Sequence, residues 1–219
     1  MRFDYDSPVV RFLNKGADLL ILNLLFLISC VPVVTIGAAI TAMYSVNLHS
    51  VRYGDGYVFQ NYTKSFMRCF KQATLAWLIM LVGWVLIYID VQFWSAAEAG
   101  MLTKVMIAVS YAIAAGLFAL QNWLFPVIAK MEDTLKAQFA NAAKMAVGYF
   151  IPYTIVCLLI KGVVGYMAYV NAAMLVVLSV IGIAAVSYIC SFFIYKVFSK
   201  HISEESLGID DLLYKDETH

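Results

Sequence analysis

The chain has 219 residues, 63% of them hydrophobic and 13% charged, with a mean hydropathy of +0.82. Soluble domains carry about a quarter charged residues, and one core of this size cannot hide so much apolar surface, so the composition names lipid as the solvent. A net charge of +1 excludes the strongly basic face that nucleic acid requires.

The amino terminus, MRFDYDSPVVRFLNKGADLL, mixes charges ahead of a long apolar run. No small-residue cleavage site follows a short apolar segment, so no cleaved signal peptide is expected. The first predicted span covers 17–36. Inside it and just beyond lies ISCVPVVTIGAAITAMY, with Pro32, Thr35 and Gly37 close together. Pro32 cannot donate to a continuing helix, and Gly37 can adopt the backbone angles of a tight turn.

Basic residues decide what the chain does there. Arg2, Arg11 and Lys15 precede the first span; Arg52, Lys64, Arg68 and Lys71 precede the next long one. A single crossing between the two clusters puts one of them outside, against the positive-inside bias. A return segment over 38–52 keeps both inside and makes PVVTIG the outer hairpin. That segment is short, about 21 Å for fourteen residues, and carries Asn47 and His49, so protein shields it or it stops short of crossing. The competing reading is a kinked single span followed by an interfacial helix.

Further spans are expected at 73–95, 102–129, 146–169 and 174–199, with Asn171 marking the turn between the last two. Each has the roughly 20 apolar residues a crossing needs, and backbone in lipid must be helical. With six segments, only Lys104 and Lys161 of the 15 basic residues fall towards the outer half. The expected fold is therefore all-α: a polytopic helical bundle in one domain, 1–200, with a cytoplasmic tail, 201–219, and both termini inside. The tail is either a solvated end or a recruiting segment.

Two stretches echo each other. FMRCFKQATLAW (66–77) and FANAAKMAVGYF (139–150) align Phe66 with Phe139, Lys71 with Lys144 and Ala73 with Ala146. At the same shift AGML (99–102) matches AAML (172–175). A parallel internal repeat and chance similarity both account for this. The stretches ahead of 73 and 146 are amphipathic. They read either as interfacial helices with snorkelling basic side chains or as a docking surface for a soluble partner, with Phe66, Arg68, Lys71, Asn141 and Lys144 as its candidate residues.

Intramembrane charge is the sharpest residue-level signal. Counted from cytoplasmic starts at 73 and 146, Asp90 lies ~25 Å and Lys161 ~22 Å up, so a salt bridge lining an outer vestibule is possible. The alternative is snorkelling of each side chain to the outer headgroups. Asn23, Gln121 and Asn122 are placed to bond between helices, and Ala108, Ala112 and Gly116 form a small-residue stripe suited to close packing.

Catalytic signals are missing from the sequence. It holds no GxxxxGK[ST] loop and no HExxH, and its three histidines, His49, His201 and His219, are dispersed. YGDGY (53–57) reads as a polar turn. Cys30, Cys69, Cys157 and Cys190 show no CxxC pairing and read as reduced packing thiols. No enzyme, metal or cofactor is expected.

Together, Asn23 in LNLLFL, the PVVTIGAAITA turn from Pro32 to Ala42 and the FxxxFKQA run leading into the second long span (66–73) resemble the YesL family of bacterial membrane proteins. That family has no established biochemical activity. The resemblance covers nearly the whole chain and implies a bacterial cytoplasmic membrane location. Its members' gene neighbourhoods imply an accessory or permease-like role in carbohydrate uptake, with an importer permease or ATPase, or a second copy, as partner. NAAKMAVGYFIP (141–152) has some likeness to the ATPase-docking loop of importer permeases, but Asn141 replaces the acidic residue, Gly148 is displaced and Pro152 comes early. A membrane scaffold or signalling protein is the alternative function; an intramembrane enzyme ranks below both.

Overall fold

A computed structural model describes residues 8–53, 57–97, 100–131, 133–148, 154–171 and 182–201. The helices are α1 (Pro8–Ser29), α2 (Ile36–Tyr53), α3 (Val58–Ala96), α4 (Met101–Lys130), α5 (Leu135–Gly148), α6 (Ile155–Val170) and α7 (Ile183–His201), with one 3₁₀ turn at Val33–Thr35 between α1 and α2. No strand occurs among the described residues, and the fold is an all-α helical bundle. The tail from 202, most of YGDGY (54–56) and the first part of the last predicted span lie outside the described residues.

The chain doubles back at its first proline. Pro32 is extended (φ −79°, ψ 120°) and leads into the 3₁₀ turn. The Thr35 hydroxyl donates to Ser29 O at 2.6 Å and to Pro32 O at 2.7 Å, tying the two sides of the corner together. Helix α2 then returns along α1, where Lys15 Nζ donates to Ser50 Oγ.

Gly37 does a different job from the one its spacing suggests. It is already the second residue of α2. A Cβ there would lie 2.4 Å from both Ala73 O and Trp77 Cβ, so the glycine is what lets α2 touch the backbone of α3. Nearby, Trp77 Nε1 donates to Val33 O at 3.0 Å.

Helix α2 is the centre of the bundle. Ala38, Ala39, Ala42, Met43, Tyr44, Val46 and Leu48 are buried, and so are Thr41, Ser45 and Asn47. Consecutive buried positions cover every face of a helix, so α2 is enclosed rather than amphipathic. It packs against α1, α3, α4 and α7. Its polar side chains are paired: Ser45 with Ser65 of α3 at 2.8 Å, and Asn47 Nδ2 to Ser187 Oγ of α7 at 2.6 Å. Protein thus shields the short return segment.

Two features differ from expectation. The amphipathic stretch before 73 is one piece with the following span, in a 39-residue helix about 58 Å long. Polarity changes along it, but backbone bonding does not, because no proline interrupts it. The 146–169 stretch is helical in α5 up to Gly148 and in α6 from Ile155, and residues 149–153, with Pro152, lie outside the described residues. The stripe of Ala108, Ala112 and Gly116 faces outward, and a Cβ at Gly116 would meet nothing within 4 Å. Helix α3 packs on another face of α4, through Ser110, Leu117 and Gln121.

At the echoed positions, Phe66 and Phe139 both lean on the same core, Ala73 and Ala146 are buried in it, and Lys71 and Lys144 are exposed. The settings differ, however: one copy lies in the middle of α3, the other in the short α5. Positions 172–175 lie outside the described residues.

Gly37→Ala will destabilise the fold by about 1–3 kcal/mol, because backbone has to move. Gly116→Ala, which meets no neighbour, will instead gain about 0.5–1 kcal/mol of helix propensity. Unfolding of the purified protein in mild detergent, followed by circular dichroism, separates the two.

Candidate functional site

Two places gather polar side chains. The first is an open-sided cavity of about 330 Å³ lined by α1, α2, α4, α6 and α7. Phe26, Met43, Phe118, Phe125 and Ile183 give it apolar walls, and Tyr44, Gln121, Asn122, Lys161 and Ser187 supply its polar groups. Among the described residues, no carboxylate lines it.

Lys161 is the one cation among the described residues that line this cavity. Its Nζ donates to the Tyr44 hydroxyl at 2.9 Å and to Asn122 Oδ1, and it sits 5.6 Å from the centre of the Tyr44 ring. A lysine only donates, so the Asn122 amide must turn its oxygen to Lys161 and its Nδ2 away. Asn122 is 4% exposed, and that Nδ2 has no hydrogen-bond partner. The other cavity groups are partly spent. Gln121 Oε1 accepts from Trp84 Nε1 at 2.9 Å, and Ser187 accepts from Asn47 while donating to Ala184 O at 2.9 Å.

Asp90 is elsewhere. It accepts from Ser110 Oγ across the α3–α4 pair, and the structure does not join it to Lys161. The expected pair fails because of the counting origin. Depths taken from 73 and 146 assume two straight helices starting at one level. In fact α3 is already 15 residues long at 73, and 146 lies near the end of α5 rather than at a helix start. Asn23 does bond between helices, its Oδ1 accepting from Ala184 N of α7 at 3.0 Å. Tyr44 escaped the sequence reading; a tyrosine among alanines and valines gives no signal of its partner.

The second place is a groove of about 940 Å³ between α3 and the α4–α5 connection, lined in part by Phe66, Arg68, Phe70, Lys71 and Asp133. Most of its polar bonds end on carbonyls at the carboxyl end of α4. Arg68 Nη2 donates to Ala129 O at 2.9 Å and Gln72 Nε2 to Asp133 O at 3.2 Å. Gln138 Nε2 bridges Gln72 Oε1 (3.0 Å) and Met131 O (3.1 Å), and Asn141 Nδ2 reaches Asp133 Oδ2 at 3.3 Å. Carbonyls at a helix end lack intrahelical donors, and a cation beside them also meets the negative end of the dipole. Arg68 and Asn141, expected as docking residues, therefore hold the α4–α5 corner, and Phe66 packs against the core. Lys71 and Lys144 are exposed.

Residues 19–91 match a family described as "Protein of unknown function, DUF624". The match runs from α1 to near the end of α3 and includes the Pro32–Gly37 corner and Arg68, but not Asn122 or Lys161. No curated protein matches the chain, and no solved structure does.

Arg68→Met will cost about 1.5–3 kcal/mol, the worth of a charged hydrogen bond to a buried acceptor. Lys71→Met, three residues on and exposed, will stay within about 0.5 kcal/mol of the wild type. Denaturant titration of both variants in the same detergent checks this.

Proposed function

We propose that the chain is an integral membrane protein serving as an accessory or permease-like component of carbohydrate uptake. The membrane half of this reading rests on an inverted distribution of polarity. Asn23, Thr41, Asn47, Gln138 and Ser191 are at most 1% exposed, while Leu24, Ile28, Leu86, Ile89, Phe93 and Leu102 are more than half exposed. Water selects the opposite arrangement, and contiguous apolar surface on this scale marks a lipid or protein contact. Helices α3 and α4 are each long and apolar enough to cross a membrane, with mean hydropathies of 2.1 and 1.8 over their best windows.

The first corner fits burial in a bilayer. Irregular backbone at membrane depth survives only where its polar groups are paired. Ser29 O and Pro32 O both accept from Thr35, and Val33 O accepts from Trp77. Val31, Val33 and Val34 are 80%, 59% and 50% exposed, which suits lipid. The corner lies beside Trp77, and α3 continues to Ala96, roughly 28 Å farther. On this reading the α1–α2 hairpin is re-entrant from the cytoplasmic side, in place of a hairpin that reaches the outer surface. Arg52, Lys64, Lys71, Lys130 and Lys144 then face the cytoplasm, in keeping with the positive-inside bias.

The carbohydrate half rests on the resemblance carried by Asn23, the Pro32–Ala42 corner and the Phe66–Ala73 run. Lys71 and Lys144, exposed near the α4–α5 corner, are where an importer ATPase or permease would meet the chain.

Single cysteines in a chain whose Cys30 is changed to serine test the orientation. With a membrane-impermeant thiol reagent, Met101→Cys will label on intact cells, Lys71→Cys only once the cells are opened, and Val34→Cys, held in lipid, in neither case. Labelling of Lys71→Cys from outside overturns the orientation. Affinity purification of the full chain from cells grown on polysaccharide tests the partner. An importer permease or ATPase will be retained, and unchanged sugar uptake after deletion of the gene overturns the link.

A further inference from the structure

We propose that the cavity around Lys161 binds an amphipathic carboxylate, its head on Lys161 and Asn122 and its apolar body among Phe26, Met43, Phe118 and Phe125. The proposal does not rest on the carbohydrate reading.

Three observations carry it. The first is a charge with no carboxylate beside it. The Lys161 ammonium bonds to Tyr44 and Asn122, the thiols Cys157 and Cys190 stand near it, and no carboxylate among the described residues lines the cavity. Removing an ammonium from water is costly, and an ion pair with good hydrogen bonds recovers that cost best. The second is a surplus of donors. Asn122 Nδ2 is buried and unpartnered. Lys161 uses two of its three N–H groups, and the Tyr44 oxygen accepts from it, leaving the phenolic hydrogen to give. The acceptors each already take one hydrogen bond: Asn122 Oδ1 from Lys161, Gln121 Oε1 from Trp84 and Ser187 Oγ from Asn47. A sugar hydroxyl needs an acceptor as well as a donor, so this chemistry disfavours a sugar and favours an anion that only accepts. The third is size and lining. About 330 Å³ lies at the small end of ligand sites, and phenyl and aliphatic walls with a few convergent polar groups are their usual make-up.

Octanoate is the probe, with octylammonium and octanol as matched tails bearing the opposite charge and none. Binding to the full chain in lipid nanodiscs is followed by calorimetry against empty nanodiscs. Octanoate will bind saturably, and the other two will show only the partitioning of empty discs. Asn122→Asp keeps the acceptor facing Lys161 and the side-chain size, but replaces the free donor with a carboxylate. It will weaken octanoate at least tenfold while the elution volume and near-ultraviolet circular dichroism stay as in the wild type. Lys161→Met will do the same. Should that variant fail to fold, Asn122→Asp and the tail series still decide. Equal binding of all three tails, octanoate that only partitions, maltose that binds and competes, or wild-type affinity in a folded Asn122→Asp protein each overturns the proposal.

Discussion

The structure depends on one helix having no outside. Because α2 is covered by α1, α3, α4 and α7, every polar group it carries must be paired within the protein or remain buried and unmatched, at a cost of about 1–3 kcal/mol each. Ser45 meets Ser65, Asn47 meets Ser187 and the Tyr44 hydroxyl meets Lys161. Each bond pins a different neighbour: α3, α7 and α6. In a lipid solvent, apolar burial gives helices no preference for one another, and close packing with interhelical hydrogen bonds takes its place. Gly37 against Ala73 supplies the close packing and the α2 side chains supply the bonds.

The same constraint explains the corner that delivers α2 to the centre. A turn in water leaves its carbonyls to solvent. This one gives them Thr35 and Trp77 instead. Thr35 ties the corner to the end of α1 and Trp77 ties it to α3, so the reversal and the α2–α3 contact are made by one group of residues. At the α4–α5 corner, Arg68, Gln72 and Gln138 take the same part for another set of carbonyls. In both corners a neighbouring helix helps to satisfy backbone groups that the chain's own turn leaves open.

The sequence revealed features that depend on local chemistry or on a global charge rule. Pro32 and the two basic clusters predict the reversal, and Asn47 in a short apolar segment predicts that protein shields it. Features that depend on where helices start in space were hidden. Asp90 and Lys161 look level only if 73 and 146 are helix starts, and neither is one. The Ala108–Gly116 stripe has the right spacing for packing, but spacing does not say which face of α4 meets α3. Gly37 was legible as a necessary glycine, though for a turn it does not make. The partners of Lys161 come from α2 and α4, 117 and 39 residues away in the chain, and no periodicity encodes such distances.

The two polar centres divide the chain in a way that bears on what each half does. The segment matched by the family, 19–91, contains the first corner, all of α2 and two of the donors at the end of α4, Arg68 and Gln72. It therefore holds most of what fixes the frame. It also supplies cavity walls, from Phe26 to Tyr44, but not the charge. Lys161 and Asn122 arrive on α6 and α4, outside the matched segment. A frame set by α1–α3 and a cation brought by α6 are physically separable: a change at Lys161 alters what the cavity attracts without touching the Gly37 contact or the Thr35 tie. The enclosed helix links them, since Tyr44 stands on α2 with its ring beside the ammonium, and whatever settles on Lys161 also bears on the helix that holds the bundle together.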